Sequence, residues 1–360
     1  MKQQFKTISY LSLDGELVKE CLHAPSQEIL LKGYRAMCLT RRMDERMVVL
    51  QRQGTISFAI SSKGEEACAV ASAAALELQD WLYPQYREAG VMFWRVYTPK
   101  QYVNHMFGNS KDLSLGRQMP NHFGSKELNV VTVSSPIGTK IPHAAGAAYA
   151  MKVQGEKSVA VCYFGDGASS EGDFHVGLNF AAVKKAPVIF FCRNNGYAIS
   201  TPCSLQFATD GVAPEGVGHG IETHRVDGND FFAVFEVVSK AKKSCLNGKG
   251  PIFIEAMTYR MGAHSTSDDP SRYRSEKESI EKEEQCPIVR LKRYLQKQNL
   301  WSDEQEEQLE LQIKQQIDEA VAEAKTIALP PLNTMIEDVY FEVPSALKAK
   351  YDEVMGGING

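Results

Sequence analysis

Short runs of apolar residues, separated by amphipathic segments, are the clearest pattern along this chain. Three runs, at 158–164 (SVAVCYF), 187–192 (PVIFFC) and 251–257 (PIFIEAM), are apolar at nearly every position. Such runs are typical of strands that are buried on both faces of a parallel sheet. The segment 171–184 lies between the first two runs and is predicted to form a helix. This alternation predicts a doubly wound α/β fold, in which a mostly parallel sheet is covered by helices on both faces.

Further elements are predicted on both sides of this centre. An apolar stripe begins after Ser26, whose side chain suits a helix N-cap, and continues to about Arg52. Val130–Val133 is a short β-branched run and predicts a strand. Residues 268–286 are polar and charged, which predicts a long loop. The remaining predicted helices are an Ala-rich segment at 64–78, a small-residue segment at 142–152 and a helix that begins after Ser302.

These patterns divide the chain into three parts. Residues 1–25 precede the first predicted helix and end in Ala24-Pro25, so we interpret them as an N-terminal arm. Residues 26–300 contain all the predicted strands and form the main domain. Residues 301–360 are predicted to be a helical C-terminal extension, because Leu309, Ile313 and Ile317 recur at helical spacing.

Composition and charge exclude several classes of function. The 360 residues carry 40 Lys and Arg against 44 Asp and Glu, a net charge of −4, so no nucleic-acid partner is expected. No apolar run reaches the ~18 residues that a membrane helix needs, and the N-terminus lacks a signal core or presequence. The eight cysteines are scattered without Cys-x-x-Cys spacing, which indicates reduced thiols. We therefore predict a cytoplasmic protein of bacterial type, or a mitochondrial matrix protein if the chain is a processed eukaryotic form.

A glycine turn, Gly165-Asp166-Gly167, follows the first apolar run. Glycines let the backbone approach a ligand closely, and the start of a following helix favours an anion. A dinucleotide-binding turn would have a third glycine at position 170 and an acidic residue at the end of the next strand. Position 170 is a serine, Ser170, and the next strand ends in Arg193-Asn194-Asn195 without an acidic residue, so a dinucleotide site is disfavoured. No phosphate-binding loop of the GxxxxGK[ST] type occurs.

Asp166 and Asn195 instead predict a magnesium site. Both follow predicted neighbouring strands, and the carboxyl ends of parallel strands meet at one edge of a sheet. Carboxylate, amide and carbonyl oxygens are the ligands that Mg²⁺ prefers, and Mg²⁺ completes its shell with phosphate oxygens and water. The pattern therefore predicts a magnesium–diphosphate site, with Arg193 as a further contact to the anion.

The stretch 165–202 (GDGASSEGDFHVGLNFAAVKKAPVIFFCRNNGYAISTP) resembles the alpha subunit of the decarboxylase component of 2-oxo acid dehydrogenases, a family of thiamine-diphosphate enzymes. The resemblance runs from about residue 26 to past residue 300 and implies a thiamine-diphosphate-binding fold. Four further blocks resemble the branched-chain members of the family: GRQMPNHFG (116–124), VTVSSPIGTKIPHAAGAAYA (131–150), VDGNDFFAV (226–234) and EAMTYRMGAHSTSDDPSRYRS (255–275).

The resemblance assigns roles to the residues at the motif positions. It implies Mg²⁺ ligands at Asp166, Asn195 and the backbone carbonyl of Tyr197. It implies that His264 is the catalytic residue, through hydrogen bonds near the substrate and the diphosphate; the other seven histidines are interpreted as structural. The implied thiamine-diphosphate contacts are Gln85, Tyr86, Arg87, Ser135, Ile137, Gly165, Asp166, Gly167, Ala168, Arg193, Asn195, Tyr197, Ile199 and His264.

The resemblance also implies a reaction and partners. The reaction is oxidative decarboxylation of branched-chain 2-oxo acids, such as 3-methyl-2-oxobutanoate, with reductive acylation of the lipoyl group of the acyltransferase component. In this family the carboxylate that activates the cofactor comes from a separate beta subunit. We therefore expect an assembly of two alpha and two beta chains, and an inactive alpha chain on its own. The alternatives are the same reaction on pyruvate, disfavoured by the branched-chain blocks, and a non-catalytic scaffold, disfavoured by the complete set of site residues.

One turn departs from the branched-chain pattern. Those members hold a monovalent cation at a Ser-Ser-Pro-x-x-Thr-Gln turn, which matches Ser134, Pro136 and Thr139 here, but Lys140 stands in place of Gln. Either the Lys140 ammonium replaces K⁺, or Lys140 points to solvent and the K⁺ site remains. Ser265 and Ser275 match positions that are phosphorylated in eukaryotic members; in a bacterial chain we do not expect phosphorylation.

Overall fold

The computed structural model describes residues 4–337 and 339–359. Six of its strands form one sheet and two form a hairpin. The strands are β1 (Thr7–Ile8), β2 (Trp81–Tyr83), β3 (Ala160–Gly165), β4 (Val188–Asn194), β5 (Tyr197–Ala198), β6 (Thr201–Pro202), β7 (Glu222–Asp227) and β8 (Ile252–Met257). The helices are α1 (Gln27–Arg52), α2 (Glu66–Ala74), α3 (Ala89–Trp94), α4 (Pro99–Phe107), α5 (Lys140–Gln154), α6 (Gly172–Lys184), α7 (Cys203–Gln206), α8 (Ala213–Gly218), α9 (Phe231–Leu246), α10 (Glu276–Glu283), α11 (Pro287–Lys297), α12 (Asp303–Ala324), α13 (Thr334–Glu337) and α14 (Ser345–Asn359), with 3-10 helices at Asp166–Ser170 and Pro270–Arg272.

The main sheet has the order β1-β7-β8-β4-β3-β2, and every neighbouring pair of strands is parallel. Gly165 of β3 pairs with Arg193 of β4, which in turn pairs with Ala256 of β8. The three strands therefore end at one edge, and the loops that follow them share one crevice. The predicted α/β fold with a mostly parallel sheet is confirmed.

Alternate residues of the central strands enter two hydrophobic cores. Val161 and Tyr163 of β3 belong to the core that contains buried residues of α2 and α9. Cys162 and Phe164 belong to the core that contains residues of α5 and α6. Both faces of the strand are thus withdrawn from water, which explains why its sequence shows no polar alternation.

Helix boundaries follow capping signals in the sequence. Ser26 accepts a hydrogen bond from the Ile29 backbone N–H at the start of α1. Ser302 and Gln305 form a capping box at the start of α12. Buried residues of α12 join the core of the main domain, and β1 adds a strand to the sheet. The division into arm, domain and extension remains a prediction.

The strand predicted at Val130–Val133 is wrong. Only Val130 makes β-bridges, to Leu82 and Ser125, because the Val133 N–H turns away to the carbonyl of Phe123. The Ala-rich helix predicted at 64–78 is shorter in the structure, where α2 ends at Ala74.

The loop predicted at 268–286 is also partly wrong. It contains a 3-10 turn and helix α10, because the Ser275 side chain accepts a hydrogen bond from the Glu278 N–H at 3.1 Å and so caps the helix.

Within the described residues, no helix combines the length and the apolar character needed to cross a membrane. All eight cysteines are free thiols, and only Cys21 and Cys203 are partly accessible.

Candidate active site

A cavity of about 400 Å³ lies at the carboxyl ends of β3 and β4. All fourteen residues that the resemblance implies for the cofactor line this cavity, although they come from five separate segments of the chain. The lining residues that were not predicted are Phe58, Ile60, Met119, His122, Ala198 and Arg260. The fold therefore brings the whole predicted set together at the edge where ligands bind in parallel sheets.

Asp166 is the first residue of the 3-10 helix that follows β3, and its side chain is almost fully buried. Its Oδ1 lies 3.4 Å from the Asn195 backbone N–H, and its Oδ2 accepts a hydrogen bond from Gln206 Nε2 at 2.9 Å. Burial raises the pKa of the Asp166 carboxyl, although these donors oppose the effect. A bound cation would stabilise the charged form of this carboxylate.

The Asn195 amide has a fixed orientation. Its Nδ2 donates to Glu65 Oε1 at 3.0 Å, and its Oδ1 accepts from the Tyr197 N–H at 3.2 Å. Because a carboxylate only accepts, Glu65 must face the amide nitrogen. The Asn195 oxygen is therefore presented on the side of the Tyr197 backbone. Within the described part of the chain, the Tyr197 carbonyl has one long contact, to Arg260 Nη1 at 3.5 Å, and keeps capacity for a further partner.

The oxygen atoms of Asp166, Asn195 and Tyr197 fit a hard divalent cation. One carboxylate, one amide oxygen and one backbone carbonyl are ligand types that Mg²⁺ takes. The described residues contain no group of three or more His, Cys, Asp or Glu that could hold a metal by themselves. Such an ion would thus need phosphate or water oxygens to complete its shell. A Cβ on Gly167 would lie 2.9 Å from the Cβ of Ala198, so glycine is needed for the close approach of these two loops.

Arg193 is held in a buried ion-pair network at the wall of the cavity. Its side chain pairs with Glu65, and its Nε lies 2.6 Å from Glu88 Oε1. The other Glu88 oxygen accepts from the backbone N–H groups of Gln85 and Arg87, at 2.9 and 3.1 Å. Arg193 therefore fixes the segment that carries Gln85 and Arg87, in addition to lining the cavity.

His264 lies between two guanidinium groups. Its Nδ1 is 3.3 Å from Arg87 Nη2 and 3.5 Å from Arg260 Nη1. Guanidinium groups only donate, so Nδ1 accepts and the proton of the neutral ring is on Nε2. Burial, reinforced by the charges of Arg87 and Arg260, lowers the pKa of His264 to about 4. At neutral pH the ring is therefore an uncharged hydrogen-bond donor.

Arg260 connects the His264 loop to the β5–β6 turn. Its Nη2 donates to the Tyr273 hydroxyl at 3.0 Å and to the Ile199 carbonyl at 2.6 Å. Ile199 has a φ of 55°, a left-handed conformation that β-branched residues rarely adopt. Asp268 closes the loop by accepting from the Tyr273 hydroxyl and from the His264 N–H. Arg260 thus holds a strained turn at the mouth of the site.

Comparison with known proteins identifies the family. The family described as "Dehydrogenase E1 component" matches residues 34–332. The chain belongs to the dehydrogenase E1 component family. Relatives of this E1 chain include "2-oxoisovalerate dehydrogenase subunit alpha, mitochondrial" of Caenorhabditis elegans, 48% identical over 330 residues that cover 91% of this chain and 76% of the relative. The protein of the same name from Homo sapiens is 47% identical over 92% of this chain and 75% of its own length. The Arabidopsis thaliana "2-oxoisovalerate dehydrogenase subunit alpha 2, mitochondrial" is 48% identical over 96% and 74%.

Three polar residues of the E1 site were not found from the sequence. Arg260 lines the cavity, and Glu65 orients Asn195 from beneath it. His122, which we interpreted as structural, also lines the cavity: its Nδ1 donates to the Pro120 carbonyl at 3.0 Å, and its Nε2 accepts from the Ser135 hydroxyl at 2.6 Å. His122 and Arg260 lie inside two of the blocks that carry the resemblance, so membership of those blocks was the available signal.

Replacing Arg260 with glutamine is expected to raise the pKa of His264 above about 4, because one of the two adjacent positive charges is removed. The pKa should stay below the ordinary histidine value, since burial is the larger cause. NMR titration of the chain with ¹³C-labelled histidine measures the change. Arg272→Gln, in the same loop but exposed, is the matched control, and an unchanged His264 pKa in Arg260→Gln would contradict the assignment.

Proposed function

We propose that this chain is the alpha subunit of a branched-chain 2-oxo acid dehydrogenase, which acts on 3-methyl-2-oxobutanoate and related 2-oxo acids. One observation carries the proposal. Every residue implied for the cofactor lines a single cavity, in a chain that is 48% identical to a relative named 2-oxoisovalerate dehydrogenase subunit alpha. The reaction is oxidative decarboxylation, followed by transfer of the acyl group to a lipoyl group on the acyltransferase component.

The cofactors are thiamine diphosphate and Mg²⁺. Asp166, Asn195 and the Tyr197 carbonyl would hold the ion, because they are the oxygen donors at the end of β3 and β4. The diphosphate would contact the Arg87 and Gln85 side chains and the backbone at Gly167 and Ala168. Tyr86, Gly165 and Arg193 complete this end of the cavity, and Ser135, Ile137 and Ile199 line the part that would hold the middle of the cofactor.

The residues of this chain also shape the chemistry. Bound thiamine diphosphate supplies an electron sink for the loss of carbon dioxide from the 2-oxo acid. With cofactor and substrate bound, His264 would donate a hydrogen bond from Nε2 to an anionic oxygen beside it, and its low pKa keeps the ring neutral. Phe58, Ile60 and Met119 provide an apolar wall, which excludes water and suits a branched aliphatic substituent.

The site needs a second chain. Asp166 is the single carboxylate among the described residues that line the cavity, and it is committed to the metal end. No other carboxylate among the described residues lines the cavity, so none of them is placed to activate the pyrimidine half of the cofactor. A beta subunit would supply it, in an assembly of two alpha and two beta chains whose site lies at their interface.

Turnover of 3-methyl-2-oxobutanoate tests the proposal. The rate of decarboxylation is measured for the alpha chain, for its beta partner and for the two together, with thiamine diphosphate and Mg²⁺ present. Only the mixture of the two chains is expected to be active. Robust turnover by the isolated alpha chain would contradict an active site shared between the alpha and beta subunits.

A comparison of two substrates with the same assembly tests the alternative that pyruvate is the preferred substrate. Each methyl group that an apolar pocket accepts is worth ~1–3 kcal/mol, so kcat/KM for 3-methyl-2-oxobutanoate should exceed that for pyruvate by at least about tenfold. The opposite preference would favour the pyruvate alternative.

Lys140 is proposed to take the place of a monovalent cation. It is half-buried at the start of α5, where a helix N-terminus disfavours a positive charge, and it makes no ion pair among the described residues. It lines a cavity of about 10 Å³, the size of one water molecule, with Ser134, Pro136 and Gln85. Thr139 precedes it as the N-cap residue of α5. The charge therefore lies beside the turn that adjoins the cofactor cavity, in surroundings that lower the pKa of Lys140 by burial.

The potassium dependence of thiamine-diphosphate binding tests the proposed role of Lys140. Wild-type cofactor affinity is expected to be the same in K⁺ and in tetramethylammonium buffers. Lys140→Gln is expected to lose about tenfold in affinity without K⁺, since a hydrogen bond to a charged group is worth ~1.5–3 kcal/mol, and to recover when K⁺ is added. Calorimetric titration with thiamine diphosphate measures both. A wild-type chain that requires K⁺ would reject the replacement.

A mitochondrial matrix location is supported by the names of the relatives, which include the word mitochondrial. None of these names supports the cytoplasmic alternative. Fractionation of cells from the source organism, followed by immunodetection of the chain, separates the two locations.

A further inference from the structure

Gln206 contacts the Asp166 carboxylate from outside the cavity. It is the last residue of α7, the one-turn helix after the β5–β6 hairpin, and its Nε2 lies 2.9 Å from Asp166 Oδ2. Among the described residues, Asp166 lines the cavity and Gln206 does not. The amide therefore reaches the carboxylate from a side that does not face the ligand space.

The two oxygens of Asp166 are unequally occupied. Oδ2 accepts a hydrogen bond from Gln206, whereas among the described residues Oδ1 has only the 3.4 Å contact with the Asn195 backbone N–H. The Cys203 thiol is 3.6 Å from Oδ2 but 3.2 Å from Asn194 Oδ1, and it has one proton to give. Gln206 is therefore the firm donor to Oδ2. Oδ1 keeps the greater capacity for a cation, on the side where Asn195 and Tyr197 present their oxygens.

We infer that Gln206 is a positioning residue, which fixes the rotation of the Asp166 carboxylate so that Oδ1 is presented to the divalent cation. The inference rests on the proposed function, because it takes Asp166 as a ligand of that ion. Groups that hydrogen-bond to metal ligands orient them, and their loss typically lowers metal affinity or activity about 10–100-fold. Without Gln206, the carboxylate would be free to rotate to angles at which neither oxygen is aimed at the cation.

If Gln206 orients the Asp166 carboxylate, its removal weakens binding of the cation; if Gln206 competes with the cation, its removal strengthens binding. A glutamine that occupied the place of the cation would leave when the ion bound, so its removal would strengthen binding. A glutamine that orients the carboxylate stays in place, so its removal weakens binding. The position of Gln206 outside the cavity lining favours orientation.

The experiment measures binding of Mn²⁺, which takes the hard oxygen ligands that Mg²⁺ takes. The alpha–beta assembly with saturating thiamine diphosphate is titrated with Mn²⁺, and free Mn²⁺ is followed by its electron paramagnetic resonance signal. Gln206→Met keeps the length of the side chain and removes the donor, and is expected to raise the dissociation constant of Mn²⁺ about 10–100-fold. The kcat at saturating metal should change little, because the site is restored once the ion binds. Gln206→Asn, which is one carbon too short, is expected to behave in the same way.

Leu205→Met is the matched control, because Leu205 lies on the same helix and is 78% exposed. It should leave Mn²⁺ binding unchanged. Wild-type affinity in both Gln206 variants, or tighter binding in either, would overturn the positioning role. A wild-type assembly that binds no Mn²⁺ in the presence of thiamine diphosphate would instead overturn the proposed function, so the two failures are distinguishable.

Discussion

Replacing Arg193 with methionine is expected to lower the free energy of unfolding by about 3–5 kcal/mol, although methionine suits a buried strand. The loss comes from the two carboxylates that remain. Arg193 is 1% exposed and is paired with Glu65 and Glu88, whose side chains are equally buried. Without the guanidinium, two negative charges remain in apolar surroundings without their cation, which is far less favourable than an intact buried pair.

Urea unfolding at a fixed protein concentration measures this change. Arg272→Met is the control, because the Arg272–Asp269 pair is exposed to solvent and should contribute little to stability. The double variant Arg193→Met with Glu65→Gln is expected to recover part of the loss, since one of the two unpaired charges is gone. An Arg193→Met chain as stable as the parent would show that the network does not support the fold.

The sequence predicts those strands that are buried on both faces. The sequences of β3, β4 and β8 are mostly apolar because neither side of the central sheet meets water. By contrast, β7 carries the charged residues Glu222 and Arg225 and has no such pattern; Arg225 is buried through its ion pair with Glu255 of β8. Val130–Val133 shows the opposite failure: its β-branched residues suit a strand, but they lie beside the edge strand β2 and pair at one position only.

The residues of the candidate site also differ in whether the sequence could predict them. Asp166 and Asn195 could be placed together because the ends of parallel neighbouring strands must meet at one edge. Glu65 could not, because its role depends on a tertiary partner, the amide of Asn195. Arg260 lies in a block that carries the resemblance, but its contact with the Ile199 carbonyl is tertiary and could not be predicted. A buried charge that is satisfied by distant backbone or side-chain groups has no periodicity to reveal its role.

Asp166→Asn is expected to reduce metal-dependent affinity for thiamine diphosphate by at least about 100-fold. Loss of a group that only orients a metal ligand already costs about 10–100-fold, and this change removes a proposed ligand charge itself. Asparagine keeps the shape of the side chain and one oxygen, so the loss reports on charge. Calorimetric titration of the alpha–beta assembly with thiamine diphosphate, with and without Mg²⁺, measures it. Asp173→Asn, on the exposed first turn of α6, is the control.

The same substitution should leave the stability of the chain equal to the wild type or raise it. Burial raises the pKa of Asp166, so the folded chain holds the carboxyl proton more tightly than the unfolded chain does. Above the ordinary carboxyl pKa, the ionised side chain therefore opposes folding, and this cost is relieved as the pH falls through the raised pKa. An amide carries no such cost at neutral pH. If Asp166→Asn lost both cofactor affinity and stability, Asp166 would have a structural role. If it lost affinity but kept its stability, the buried carboxylate would serve to bind the ion, although it destabilises the folded chain.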